Sequence, residues 1–174
     1  MTPTRRLLLQ AGGTAIAVPL LPLGRARGQE AVFDIVMGGR GGGAQVWFDP
    51  VGVLIAPGTR VRWTNLDRAN VHTATAYHPD NFGKPARIPV DAAPFDSGYL
   101  APGETFETIL TAEGVYDYYC IPHEAAGMAG RILVGTCDDA GFDAPADGRI
   151  PRAVADALPA IDAIRASGVV RPAG

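Results

Sequence analysis

Long helical periodicity is missing from this sequence: before residue 150 no stretch repeats its apolar residues on one helix face over several turns. With 22 Gly and 15 Pro distributed through 174 residues, that absence points to many short strands joined by turns, a β-rich class. An uninterrupted apolar run is also missing. The longest, Leu7 to Leu23, is broken by Gln10, Gly12, Gly13, Pro19 and Pro22, whereas a permanent membrane span needs roughly 20 continuous apolar residues. The glycine-rich stretch Gly38 to Gly43 lacks the Lys-Ser/Thr ending of a phosphate-cradling loop and the strand-to-helix setting of a dinucleotide fingerprint, so it reads as a flexible turn. Side chains suited to soft or borderline metals are few: two cysteines (Cys120 and Cys137), three histidines and three methionines.

The first 28 residues have the layout of a targeting segment. Arg5 and Arg6 form a basic start, the interrupted apolar run follows, and the small residues Ala26 and Gly28 lie at its end. Thr4-Arg5-Arg6-Leu7-Leu8-Leu9 is similar to the bacterial twin-arginine signal, and an ordinary secretory signal is the other reading. Either predicts an exported, periplasmic or secreted protein whose segment 1–28 is cleaved and whose mature chain has no membrane span. The segment carries Arg5, Arg6, Arg25 and Arg27 and no acid, so 15 basic residues against 18 acidic ones become 11 against 18, a formal charge of −7. An acidic surface of that size repels phosphate backbones, which excludes nucleic acid as a partner and suits a basic one.

Alternation and turn chemistry predict strands at 31–37, 44–48, 59–65, 72–77, 104–110, 115–120 and 130–135. The stretch from His78 to Pro94 reads as an irregular excursion. Seven or eight short strands make a sandwich or barrel. We therefore expect one β domain at 29–137 and a C-terminal extension at 138–174. The extension carries a helix near 151–166, opened by Pro151, stopped by Gly168, and presenting Val154, Ala157, Leu158, Ile161 and Ile164 on one face.

Chemistry concentrates around Cys120. The run Tyr118-Tyr119-Cys120-Ile121-Pro122-His123-Glu124-Ala125-Ala126-Gly127-Met128 places a thiol, an imidazole three residues on and a thioether five beyond that. With three His and three Met in the chain, that placement after either cysteine arises by chance roughly once in two thousand. One thiolate, one imidazole and a thioether fall short of a structural zinc site, which wants four strong donors. His72, 48 residues upstream, supplies a second imidazole. Two His and one Cys with a weak axial Met is the donor set of an electron-transfer copper site. A Cys120–Cys137 disulfide is the competing reading in an oxidising compartment.

These residues resemble plastocyanin, pseudoazurin and related small cupredoxins, which share the Cys-x-x-His-x-x-x-x-Met spacing between their last two strands and an isolated upstream His. The resemblance spans about residues 31 to 135. It implies an all-β, Greek-key cupredoxin sandwich or barrel with a short C-terminal helical extension. It implies one type 1 copper ion with Cys120, His72 and His123 as equatorial ligands and Met128 as axial ligand. The implied activity is single-electron transfer between redox proteins, including basic-surfaced ones such as a cytochrome or oxidoreductase, with no enzymatic step. Strand alternation sends Tyr116, Tyr118 and Cys120 inward and Tyr119 outward, where it looks like plastocyanin's surface tyrosine or a plain exposed aromatic. His123, flanked by Pro122, Ala125, Ala126 and Gly127, is expected near solvent. The chain departs from the family at Asn70-Val71-His72-Thr73, because the family usually follows its first His with Asn, and this leaves the bonding around the metal open.

Copper storage or delivery is the alternative function, but it calls for exposed Met-rich or His-rich tracts that this chain does not have. A bridged two-copper centre needs a second nearby Cys, and a multicopper oxidase needs His-x-His pairs; the sequence has neither. His78, beside Pro79, Asp80 and Asn81, reads as part of an exposed turn, and Met37 and Cys137 read as packing residues.

Overall fold

A computed structural model of the chain describes residues 32–136 and 149–173. The expected export signal at 1–28 and Cys137 lie outside the described residues. Nine strands, two α-helices and one 3-10 helix (Ile121–Ala126) follow one another in these segments. They are β1 Val32–Arg40, β2 Gln45–Asp49, β3 Gly52–Ile55, β4 Thr59–Asn65, β5 Thr75–Ala76, β6 Thr105–Leu110, β7 Gly114–Tyr119, β8 Ala129–Val134, α1 Arg152–Ala157, α2 Ile161–Ser167 and β9 Val169–Val170. Among the described residues no helix is long and apolar enough to cross a membrane.

Alternation decides which way the strands face. In β4, Thr59, Val61, Trp63 and Asn65 are buried while Arg60, Arg62 and Thr64 are only partly covered, as a half-buried strand requires. The partly covered arginines meet acids across the sheet, Arg62 pairing with Asp34 of β1 and reaching Glu107 of β6. Four strands form one sheet in the order β2-β1-β4-β6, and five form the other in the order β5-β7-β8-β3-β9. The pairs β1–β4 and β3–β8 are parallel, and the remaining pairs are antiparallel. Strands distant in sequence thus become neighbours through crossovers between the two sheets, and the fold is the expected Greek-key β sandwich. Between the sheets lie Ile35, Met37, Phe48, Val61, Trp63, Phe95, Tyr116, Tyr118, Cys120 and Ile132. Trp63 packs edge-on to Tyr118 with ring centroids 5.5 Å apart, a favoured aromatic geometry.

Several expectations are revised. Strand β3 was not predicted: Gly52-Val53-Leu54-Ile55 is a short apolar run without alternation, because it lies between β8 and β9 with three of its four residues buried. Gly38 and Gly39 belong to β1, paired with Trp47 and Val46, so the turn is confined to residues 41–44. Of the predicted strand 72–77 only Thr75–Ala76 is a strand proper, paired with β7, while His72 makes an isolated bridge to Leu100. The single helix expected at 151–166 is two short ones. Pro159 divides them: it cannot donate an intrahelical hydrogen bond, and it holds Leu158 in an extended conformation (φ −68°, ψ 125°). Gly168 ends α2 as expected.

The extension is a third layer of the domain. Ile164 of α2, fully buried, packs with Val115 and Leu133 on the outer face of the five-stranded sheet, beside Leu54, Ile161 and Val170. Val154 of α1 does the same against Tyr77, Tyr119 and Ala129. Strand β9 pairs antiparallel with β3. Between these two apolar clusters sits Asp117, wholly buried, its carboxylate accepting from Arg131 Nε at 2.7 Å and Arg87 Nε at 2.9 Å. Arg131 Nη1 donates to the Pro159 carbonyl at 2.9 Å, tying the extension to the same charge network. Truncating Ile164 to Ala is expected to cost about 2–5 kcal/mol in urea unfolding of the whole chain. A loss below about 0.5 kcal/mol, the range of an ordinary surface change, would show that the extension lies outside the cooperative unit.

Candidate metal centre

Two chain segments bring the donor side chains together at one end of the sandwich. His72 lies beyond the end of β4, where its backbone N–H donates to the Leu100 carbonyl (3.2 Å) and its carbonyl accepts from the Leu100 N–H (2.8 Å). Cys120 follows directly on β7, and the loop after it folds back upon itself. The His123 N–H donates to the Cys120 carbonyl (3.1 Å), the Met128 N–H to the His123 carbonyl (3.2 Å), and the Cys120 N–H to the Met128 carbonyl (2.9 Å). Pro122 sits in the first turn of the 3-10 helix, where its missing N–H costs nothing. Gly127 closes the helix at φ 82°, a left-handed conformation that a side chain would strain. A Cβ there would also come within 2.8 Å of the Ala153 carbonyl oxygen of α1.

His72, Cys120 and His123 offer donor atoms that all lie within 4.8 Å of one another, the sole such histidine, cysteine or acid group among the described residues. His72 Nδ1 is 3.5 Å and His123 Nδ1 3.4 Å from Cys120 Sγ. The two imidazole rings have centroids 4.8 Å apart. His72 and Cys120 are fully buried, Met128 is buried beside them and His123 is half-buried. Cys120 is a free thiol. Burial pushes it up to about 11, against hydrogen bonds from Thr73 and His123 that favour the thiolate. Burial, followed by the neighbouring His72, lowers the basicity of His123. A buried sulfur that resists ionisation beside two imidazoles fits a cation that supplies the compensating charge. Two imidazoles and a thiol that converge, with Met128 buried at the end of the same loop, are a donor set that suits copper.

The bonding left open by the sequence comes from Thr73 and Asp67. The Thr73 N–H points at Cys120 Sγ at 3.4 Å, and its hydroxyl oxygen accepts from the Ile121 N–H at 2.8 Å, so one residue braces both segments. Asp67, buried, places Oδ2 3.0 Å from His72 Nε2. Burial opposes ionisation of this carboxyl, but donors from Asn70, the Ala69 N–H and His72 outweigh it and hold Asp67 below the usual carboxylate range. Sequence reasoning passed over Asp67; its signal was an Asp followed three residues later by Asn, a turn that folds side chains onto its own backbone.

Tyr119 is corrected. It points away from the main core, as alternation requires, yet it is only 1% exposed. Its ring stacks on Tyr77 at 4.4 Å, lies under the Lys84 ammonium at 5.0 Å and meets Val154 of the extension. Tyr77 in turn donates to Glu124 Oε1 at 2.9 Å. His78 lies in the turn that follows, part-exposed, its Nδ1 accepting from the Asp80 N–H at 3.2 Å, as expected of a surface turn. Met37 is buried in the core as expected.

The chain matches the family of copper binding proteins described as the plastocyanin/azurin family over residues 35–135. It is 36% identical over 87 residues to the chloroplastic plastocyanin of Tetradesmus obliquus, a match that takes in 50% of this chain and 57% of that protein. It is 32% identical over 124 residues to the chloroplastic plastocyanin of Oryza sativa subsp. indica, covering 71% of this chain and 74% of the relative. Its fold is similar to that of a pseudoazurin from Sinorhizobium, with a TM-score of 0.57 at 24% identity over 79% of this chain and 98% of the other.

The tyrosine pair separates two kinds of hydroxyl. Tyr77 bonds to a carboxylate, whereas the Tyr119 hydroxyl is buried without a partner among the described residues. Tyr77→Phe is expected to cost about 1.5 kcal/mol or more in urea unfolding, and Tyr119→Phe to fall within about 0.5 kcal/mol of wild type or to stabilise. Equal costs would show that the Tyr119 hydroxyl is satisfied.

Proposed function

The chain belongs to the plastocyanin/azurin family of copper-binding proteins, and on that premise we propose that it carries single electrons between redox proteins at one type 1 copper ion. In this reading Cys120, His72 and His123 are the equatorial ligands and Met128 is the weak axial one. The observation that carries it is the convergence of Cys120 Sγ with the two Nδ1 atoms at 3.4 and 3.5 Å, from two chain segments that each have their own backbone hydrogen bonds. Bound copper would supply a one-electron couple, both states of which this mixed set of soft and borderline donors can hold.

What the chain contributes is constancy. The Cys120–Met128 loop is closed by three backbone hydrogen bonds and braced by Thr73, so its donors keep one arrangement and little has to reorganise when the charge changes. Half-buried His123, set among Ala125, Ala126 and Gly127, leaves an imidazole edge beside a small apolar surface where a partner can approach. A formal charge of −7 for residues 29–174 suits a basic-surfaced partner such as a cytochrome or oxidoreductase. Segment 1–28 serves as the export signal, by the twin-arginine route, and the carrier works in the periplasm or as a secreted protein. Residues 29–137 form the cupredoxin domain, with 138–174 as its extension.

Storage or delivery of copper is less well supported. Release to another protein needs donors that a competing ligand can reach, and both His72 and Cys120 are fully buried.

Titrating residues 29–174 with Cu(II) is expected to raise an intense visible band that saturates at one equivalent and bleaches reversibly with ascorbate; a colourless product would overturn the carrier. Cys120→Ser is expected to abolish the band and Cys137→Ser to leave it intact, with equal loss from both counting against the Cys120 assignment. Met128→Leu is expected to keep the band and raise the reduction potential, because a weak donor to Cu(II) is removed. An unchanged potential would show that Met128 is not axial.

A further inference from the structure

His72 can offer Nδ1 to a metal only if its ring proton sits on Nε2, so whatever faces Nε2 decides whether the donor is ready. The group that faces it is the carboxylate of Asp67, with Oδ2 at 3.0 Å. The same oxygen accepts from Asn70 Nδ2 at 2.8 Å, Oδ1 accepts from the Ala69 N–H at 2.9 Å, and the Asp67 N–H is held by Asn65 Oδ1 at 2.9 Å. Asn65 is itself buried and donates to the carbonyls of Asn70 and Leu100, the latter being the residue that bridges to His72. The glycine-rich stretch acquires a purpose in this setting. Gly39 of β1 lies directly over the carboxylate, and a Cβ there would stand 1.9 Å from Asp67 Oδ2. Since the φ of Gly39 is not in the left-handed region, the requirement for glycine is one of space rather than backbone conformation.

We propose that Asp67 is the positioning residue of the copper site: it fixes His72 as the Nε2–H tautomer with Nδ1 bare, and its anionic acceptor strengthens the imidazole as a donor to Cu(II), lowering the reduction potential. This rests on the copper reading given above. An acceptor behind a ligating imidazole orients the ring and raises its basicity, and a full negative charge does so more than a carbonyl oxygen would. The carboxylate is covered from solvent and 3.0 Å from the ring, so its field there is screened less than that of a fully exposed pair. Gly39, Asn65 and Asn70 are the supports that keep the carboxylate in line.

Two measurements test it. In the metal-free wild-type chain, nitrogen-15 NMR of the histidine rings is expected to find His72 as the Nε2–H tautomer with a slowly exchanging ring proton; a Nδ1–H tautomer would overturn the proposal without reference to copper. In the copper-loaded protein, Asp67→Asn is expected to reduce the preference for Cu(II) over Cu(I) about tenfold, a rise of about 59 mV for one electron. Gly39→Ala, which displaces the carboxylate while leaving its charge in the chain, is expected to shift the potential in the same direction. Unchanged potentials in both variants, with the thiolate band retained, would reduce Asp67 to a support of its own turn and overturn the proposal. A wild-type chain that gives no thiolate–copper band would instead sink the copper reading, and the tautomer would then decide the positioning role alone.

Discussion

Burial of β7 on both faces is the constraint from which the rest of the structure follows. A strand that ends in a reactive thiol has to deliver that thiol to one place, and β7 does so by leaving neither side chain row free to shift. Tyr116 and Tyr118 enter the main core, while Val115, Asp117 and Tyr119 are buried against other groups on the opposite face. A one-residue slip would exchange the rows, sending an aspartate into the aromatic core and a tyrosine onto Arg87 and Arg131. Cys120 inherits its position from that register.

The second face of β7 is where this chain is particular. A two-sheet sandwich would leave Val115, Leu133 and Tyr119 at the surface. Here α1, α2 and β9 cover them, and Arg131 couples the cover to the buried Asp117. Burying a carboxylate between two guanidinium groups favours a single arrangement, because any other leaves a charge without a partner in a weakly polar interior. The extension therefore acts on the donor loop through contact as well as stability: Gly127 can follow Ala126 only because no side chain meets the Ala153 carbonyl.

Much of this was legible in the residues themselves. Alternation in β4 named its buried row, and the spacing from Cys120 to His123 with His72 upstream named the three side chains whose donor atoms the fold brings within 4.8 Å of one another. The misses have physical causes. β3 is short and covered on both sides, so it carries no alternation to read. The role of Pro159 was overlooked because the apolar face of 154–164 continues through it, and periodicity says nothing about a missing N–H. Tyr119 was placed on the correct face of the strand and wrongly assumed to be exposed, since strand period tells which side a residue takes but not what comes to lie on that side. Asp67 and Gly39 were invisible for a related reason: their meaning lies in a contact between residues 28 apart, between an edge of β1 and the turn after β4.

Covering Tyr119 also changes what the site can present. With Tyr77, Lys84 and Val154 over that ring, the flank of Cys120 is closed to solvent. His72 and Met128 are buried, which leaves His123 as the one candidate donor with exposed surface. The residues that cover Tyr119 also hold the loop bearing His123, since Tyr77 and Lys84 both bind Glu124, its sequence neighbour. Closing one side of the site and stiffening the other are thus a single structural act: the packing that denies access at Tyr119 sets the orientation of the imidazole through which access remains.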